Sequence, residues 1–144
     1  MWEYEHSVTT DASPEAIWRL YADPSSWPSW DAGIENMELD GPFAVGTTGR
    51  LTPSGQDTLP FTLIEVEQNR RFVDETHVAG LVLRFIHTLV PQRDGGTTVT
   101  HRVEITGPAA DQLGPQIGPN VTAGVPTTIE TLVKHARDLG TDEH

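Results

Sequence analysis

The sequence predicts an α+β fold: a seven-stranded curved antiparallel sheet wrapped around a long C-terminal helix, with two short helices after the first strand. Three observations predict it. The chain opens on a two-residue alternation, "WEYEHSVT". Six further strand-like runs follow, with glycine and proline at most of the joins. The tail instead repeats its apolar residues every three or four positions, which is helical spacing. A meander of antiparallel strands must hide its apolar face, and the long helix is the element able to cover it.

The elements can be justified in order. Trp2, Tyr4, His6 and Val8 share one face of the first strand, and Glu3, Glu5 and Ser7 the other. In "DASPEAIWRLYADP", Ser13 suits a helix cap, Pro14 the first turn, and Asp23-Pro24 the stop. Ile17, Leu20 and Tyr21 form the apolar face of that helix. "PSSWPSWDAG" is too short and proline-broken for more than one or two helical turns. Strands are expected at 34–39, 46–52, 58–67, 71–78, 81–90 and 97–106. In the tail, Leu113, Ile117, Val121, Val125, Ile129, Leu132, Val133 and Ala136 make the amphipathic face. Pro126 removes the bond to the Thr122 carbonyl, and Gly124 eases the bend. With Pro115 and Pro119 also present, the expectation is a loose stretch from about 110 and a firm helix from 126 to 138.

A chain of 144 residues fits a single domain over 1–144 with a real core. It has no cysteine, which excludes disulfides and cysteine-ligated metal. A net charge of −12 makes phosphate-rich partners repulsive, so neither nucleic acid nor membrane is expected. No apolar run approaches the ~20 residues of a membrane helix. "MWEYEHSV" reads as a strand rather than a signal peptide, and a cytoplasmic monomer or homodimer is expected. "GPFAVGTTG" lacks the strand-to-helix context of a phosphate loop. There is no nucleophile elbow and no dinucleotide fingerprint. No cofactor and no metal are expected.

The chemistry-bearing residues emerge from the register. If Ala79-Gly80 is a two-residue turn, 78 pairs with 81, 74 with 85 and 72 with 87. Facing pairs share a side of the sheet, so Phe72, Asp74 and Thr76 join Leu83, Phe85 and His87 on the inner face. Glu75 and Arg84 then meet outside as an ion pair. In "RFIHTLVPQRDGGTTVTHRVEI" each apolar column carries one histidine: His87 beside Phe85 and Leu89, and His101 between Val99 and Val103. Three readings of these imidazoles stand open. They are satisfied core groups, or they line a cavity as ligand contacts or acid–base groups, or with a third histidine they form an open metal site. Trp27 and Trp30 suit packing at the sheet edge, with Trp30 placed to line a cavity mouth and Asp31 beside it as a cap or ligand contact.

The residues "SPEAIWRLYADPSSWPSWDAGIENMELDG" and "GGTTVTHRVEITGP" resemble the START-like, helix-grip (SRPBCC) superfamily, and within it the polyketide cyclase/dehydrase-like proteins. The resemblance spans nearly the whole chain and is specific for fold. It implies that the first strand lies beside the last, which makes His6 a third inward imidazole next to His101. It also implies a cavity between sheet and final helix for a hydrophobic or aromatic small molecule. His87 and His101 are then the candidate catalytic residues for cofactor-free aldol cyclisation or dehydration, with Asp74 orienting His87 and Tyr4 as helper. Trp30, Phe85 and Ile129 would hold the ring, beside His6, Asp31, Phe72, Leu83, Val99 and Val103. The superfamily shares no catalytic motif, so a non-catalytic carrier or sensor is the alternative.

Overall fold

Alternation in the sequence becomes alternation in burial. The computed structural model of the chain describes residues 1–142. Its strands are β1 (Trp2–Thr10), β2 (Ile34–Leu39), β3 (Thr48–Pro53), β4 (Leu59–Glu67), β5 (Arg71–Val78), β6 (Leu81–Pro91) and β7 (Thr97–Thr106). They form one antiparallel sheet in the order β1-β7-β6-β5-β4-β3-β2. In β7, residues 97, 99, 101, 103 and 105 are buried and their neighbours half-buried. Consecutive strands pair all the way from β2 to β7, and β1 closes onto β7.

The crossing from β1 to the far edge carries two short helices, α1 (Pro14–Tyr21) and α2 (Trp27–Trp30), joined through a single 3₁₀ turn at Pro24–Ser26. Ser13 caps α1 as expected, its Oγ accepting from the Ala16 amide at 3.2 Å. The inner face of α1 buries Ile17 and Tyr21 completely. Trp27 folds back on this helix, its indole N–H donating to the Tyr21 carbonyl at 3.0 Å.

The C-terminal helix is long and bent, in two rods: α3 (Ala110–Thr122) and α4 (Val125–Asp142). The break at Ala123-Gly124 lies just before Pro126, where the lost bond requires it. The expectation of a loose stretch from about 110 is corrected, because α3 is helical through both Pro115 and Pro119. Tertiary packing overrides propensity here. Gly114 and Gly118, one turn apart, let α3 lie directly on Trp2 of β1. A methyl group at Gly114 would come within 2.7 Å of the Trp2 Cβ, and one at Gly118 within 2.5 Å of its indole. In α4, Ile129, Leu132 and Ala136 are fully buried against the sheet and α1.

Candidate functional site

The β5–β6 turn sets the site's register. Ala79 and Gly80 both take positive φ (53° and 77°), the backbone of a two-residue hairpin turn. Residues 78 and 81, 74 and 85, and 72 and 87 pair as expected, and Glu75 and Arg84 meet outside at 2.7 Å. One sheet row then reads His6, His101, His87, Phe72 across β1, β7, β6 and β5.

The imidazoles of His87 and His101 meet edge to face, ring centres 4.7 Å apart. His87 stacks on Phe72, centres 3.9 Å apart and planes 5° from parallel. Its Nδ1 lies 3.3 Å from the Phe72 carbonyl, which can only accept, so the hydrogen sits on Nδ1. The other nitrogen, Nε2, is left as an acceptor. His101 Nε2 is 2.7 Å from the hydroxyl of Tyr21, a fully buried residue of α1. The two groups share one hydrogen bond, donated by the phenol or by the imidazole N–H according to the tautomer of His101. Burial pushes His87 down to about 3. It pushes His101 well below the ordinary histidine range as well, with the neighbouring His87 and His6 adding to the effect. Both rings are neutral at pH 7. Burial raises the Tyr21 phenol for the same reason.

A cavity of about 390 Å³ opens beside this pair, between the inner face of the sheet and the junction of α3 with α4. Leu83, Phe85, Val103 and Trp30 supply apolar wall, while Asp74, Thr76, His87 and His101 supply polar groups. Asp31 and Thr128 stand near the helix break, the Thr128 hydroxyl donating to Asp31 at 3.3 Å and the Gly33 amide at 2.9 Å. Burial raises Asp31, and those two bonds partly offset it. Asp74 is more extreme: 8% exposed, and pushed up by burial to about 8. The one bond holding it down comes from its own backbone amide.

Eight of the residues singled out from the sequence thus line one cavity: Trp30, Asp31, Asp74, Leu83, Phe85, His87, His101 and Val103. Five others do not. Phe72, Val99 and Ile129 are at most 1% exposed and sit in the packed core, because α1 and α4 fill that half of the sheet. Tyr4 and His6 are half-buried on β1, outside the cavity wall. Asp74 does not orient His87, whose Nδ1 meets the Phe72 carbonyl instead. Tyr21 was the residue sequence reasoning missed. Its place on the inner face of α1 was readable, but its meeting with β7 depends on how that helix crosses the sheet. Among the described residues, no three His, Asp or Glu side chains are grouped to hold a metal ion. A second depression of about 450 Å³, between Val8–Asp11, Asp94 and the Glu130–Arg137 side of α4, is a more open surface groove.

The family described as polyketide cyclase / dehydrase and lipid transport matches residues 1–138. The chain belongs to this family. Family membership accounts for the architecture, and solved structures repeat it. Norcoclaurine synthase from Thalictrum flavum, a point mutant in complex with a transition state analogue, superposes with a TM-score of 0.72 at 18% identity, covering 96% of this chain and 95% of that one. The same enzyme in complex with dopamine and hydroxybenzaldehyde gives 0.71 at 18% identity, over 94% and 86%. Protein NE0264 from Nitrosomonas europaea gives 0.75 at 17% identity, over 97% of each chain. At these identities the likeness shows the fold. No curated protein matches the chain. None of the helices described is long and apolar enough to cross a membrane.

Proposed function

We propose that this family member binds a hydrophobic or aromatic small molecule in the cavity between the sheet and the bent C-terminal helix. The observation that carries the reading is the cavity itself. At about 390 Å³, with apolar walls and a few converging polar groups, it fits the ~300–1,000 Å³ of ordinary small-molecule sites. The complex of norcoclaurine synthase with dopamine and hydroxybenzaldehyde supports it by example, as two aromatic molecules held on the same fold.

A second reading, cofactor-free cyclisation or dehydration through histidine, rests on His87 Nε2, an acceptor that the Phe72 carbonyl leaves free. His87 would take a proton from the carbon beside a carbonyl and, once protonated, deliver it to the departing hydroxyl, so the ring ends neutral and water leaves. A group held near 3 is a weak base for that step, so binding ranks first.

The test is a thermal-shift screen of aromatic and polyketide-like compounds, repeated on Val103→Phe, which fills the cavity. Hits that stabilise the parent and lose their effect in the filled variant are the expected result. Hits unaffected by filling, or no hits at all, would overturn the reading. For any hit that is turned over, His87→Asn should lower the rate ~10²–10⁴-fold if the ring transfers a proton. If the protein is a carrier, the same change should leave affinity within about tenfold.

A further inference from the structure

Among the described residues, Asp74 is a carboxyl on this cavity with no cation paired to it. It sits mid-strand on β5, between Leu63 of β4 and Phe85 of β6, and its side chain lines the cavity. It is 8% exposed, and its bond is to its own amide. A carboxyl buried this far is ordinarily paired with a cation or several donors. Among the described residues, the single lysine or arginine on the lining is Arg102. Its guanidinium is engaged by Glu104 at 2.9 Å and by Glu3. The other charged or titratable groups on the lining are Asp31, near the helix break, and the neutral His87 and His101. From α3 and α4 come Asn120 and Thr128, which carry no charge.

An anionic ligand would meet two carboxyls and no free cation in a protein of net charge −12. Near Asp74 stand two groups able to accept, a threonine hydroxyl that can also donate and an imidazole nitrogen. Thr76 lies two residues along the same inner face, and His87 lies diagonally across the β5–β6 ladder with Nε2 unprotonated. An ammonium group has three donors and no acceptor, the complement of that set. Trp30 and Phe85 line the same cavity and supply aromatic surface for the remainder of such a molecule.

We propose that the ligand carries a protonated amine on an aromatic or alicyclic frame, and that Asp74 is the amine's counter-ion inside the cavity. The proposal rests on the cavity being a small-molecule site. On binding, the protonated Asp74 carboxyl gives its proton to buffer and the ammonium keeps its own, so one charge pair forms and one proton leaves. With Asp74 near 8, roughly nine-tenths of a proton should be released per amine bound at pH 7.

The experiment is calorimetry at pH 7 with phenethylamine and its neutral analogue phenethyl alcohol, in two buffers of different ionisation enthalpy. The expected result is at least tenfold tighter binding of the amine, with proton release for the amine alone. Asp74→Asn should abolish both the preference and the release while still binding the alcohol, which also reports that the variant is folded. Equal affinities, or a preference that survives Asp74→Asn and disappears in Asp31→Asn, would overturn the proposal while leaving the cavity reading intact. Binding of neither compound by the parent protein would overturn both.

Discussion

The two halves of the interior are built on one sheet face and end up opposite in character. In the half under α1, α2 and α4, Tyr21, Phe72, Leu63, Ile129 and Leu132 are completely buried, and rings interlock around Phe72. In the half under α3, Leu83, Val103 and Ile105 are buried, but Phe85, Leu113, Ile117 and Val121 are only partly covered, and the cavity lies alongside. The difference is in the helices. The first half receives tryptophans and a tyrosine from two crossing helices. The second is roofed by a helix whose inward positions include Gly114, Gly118 and Thr122, which bring it down onto β1 and leave space over β5 and β6. His87 and His101 mark the border, one stacked on the packed side and both opening on the empty side. In this chain the cavity lies under the helix whose inward positions are small.

The largest expected effect tests whether the halves differ energetically. Ile129→Ala or Leu132→Ala should cost ~2–5 kcal/mol, since neither site has room to collapse. Leu83→Ala should cost less than half as much, because its side chain already borders empty volume and loses fewer contacts. Urea unfolding of the three variants measures it. Equal losses would mean that the cavity half is as tightly packed as the other in solution.

The next contrast is electrostatic, with opposite signs for the two kinds of buried group. Asp74 titrates near 8 in the folded protein against 3.8 in an unfolded chain. Between those values the folded state holds a proton the unfolded state has lost, so stability falls as pH rises through the window. His87 titrates near 3 against 6.5, and His101 moves the same way. Below 6.5 the unfolded chain takes protons the folded one refuses, so stability falls as pH drops. Asp74→Asn should remove the alkaline loss and leave the acid loss. The gain should be on the order of 1–2 kcal/mol at pH 7, allowing for water reaching the carboxyl through the cavity. Denaturation midpoints compared from about pH 5 to pH 8 should diverge upward, and parallel curves would mean Asp74 is ionised in the folded state.

Much of this contrast was legible in the sequence, and the reasons are local. Strand patterning located the seven strands, the Ala79-Gly80 turn fixed the β5–β6 register, and matching the inward columns of the next hairpin brought His87 opposite His101. What was not legible depended on contacts between elements distant in sequence. Pro115 and Pro119 argue against a helix until Trp2 is seen in contact with Gly114 and Gly118. Tyr21 reads as core on α1 until the crossing of that helix brings it to His101, eighty positions away. Asp74 was placed on the right face, but the inward pattern cannot say which inward residues meet a packed neighbour and which meet space.

The smallest expected effect lies at the turn that fixes the register. Ala79 holds φ at 53° in an exposed loop, a left-handed backbone that costs an L-residue about 1–2 kcal/mol. Glycine removes that cost but adds freedom to the unfolded chain worth ~0.4–1 kcal/mol. The balance leaves Ala79→Gly more stable by roughly 0.5 kcal/mol. The turn also seats the cavity's roof, since the Gly80 carbonyl accepts from the Ala109 amide, next to the start of α3, at 3.2 Å. Relief at the turn should therefore slow hydrogen exchange in the first turn of α3 more than around Ile129 in α4. A uniform slowing of both helices would instead make the two halves one cooperative unit. Loss of stability in Ala79→Gly would show that the alanine methyl, exposed as it is, holds the turn through packing rather than straining it.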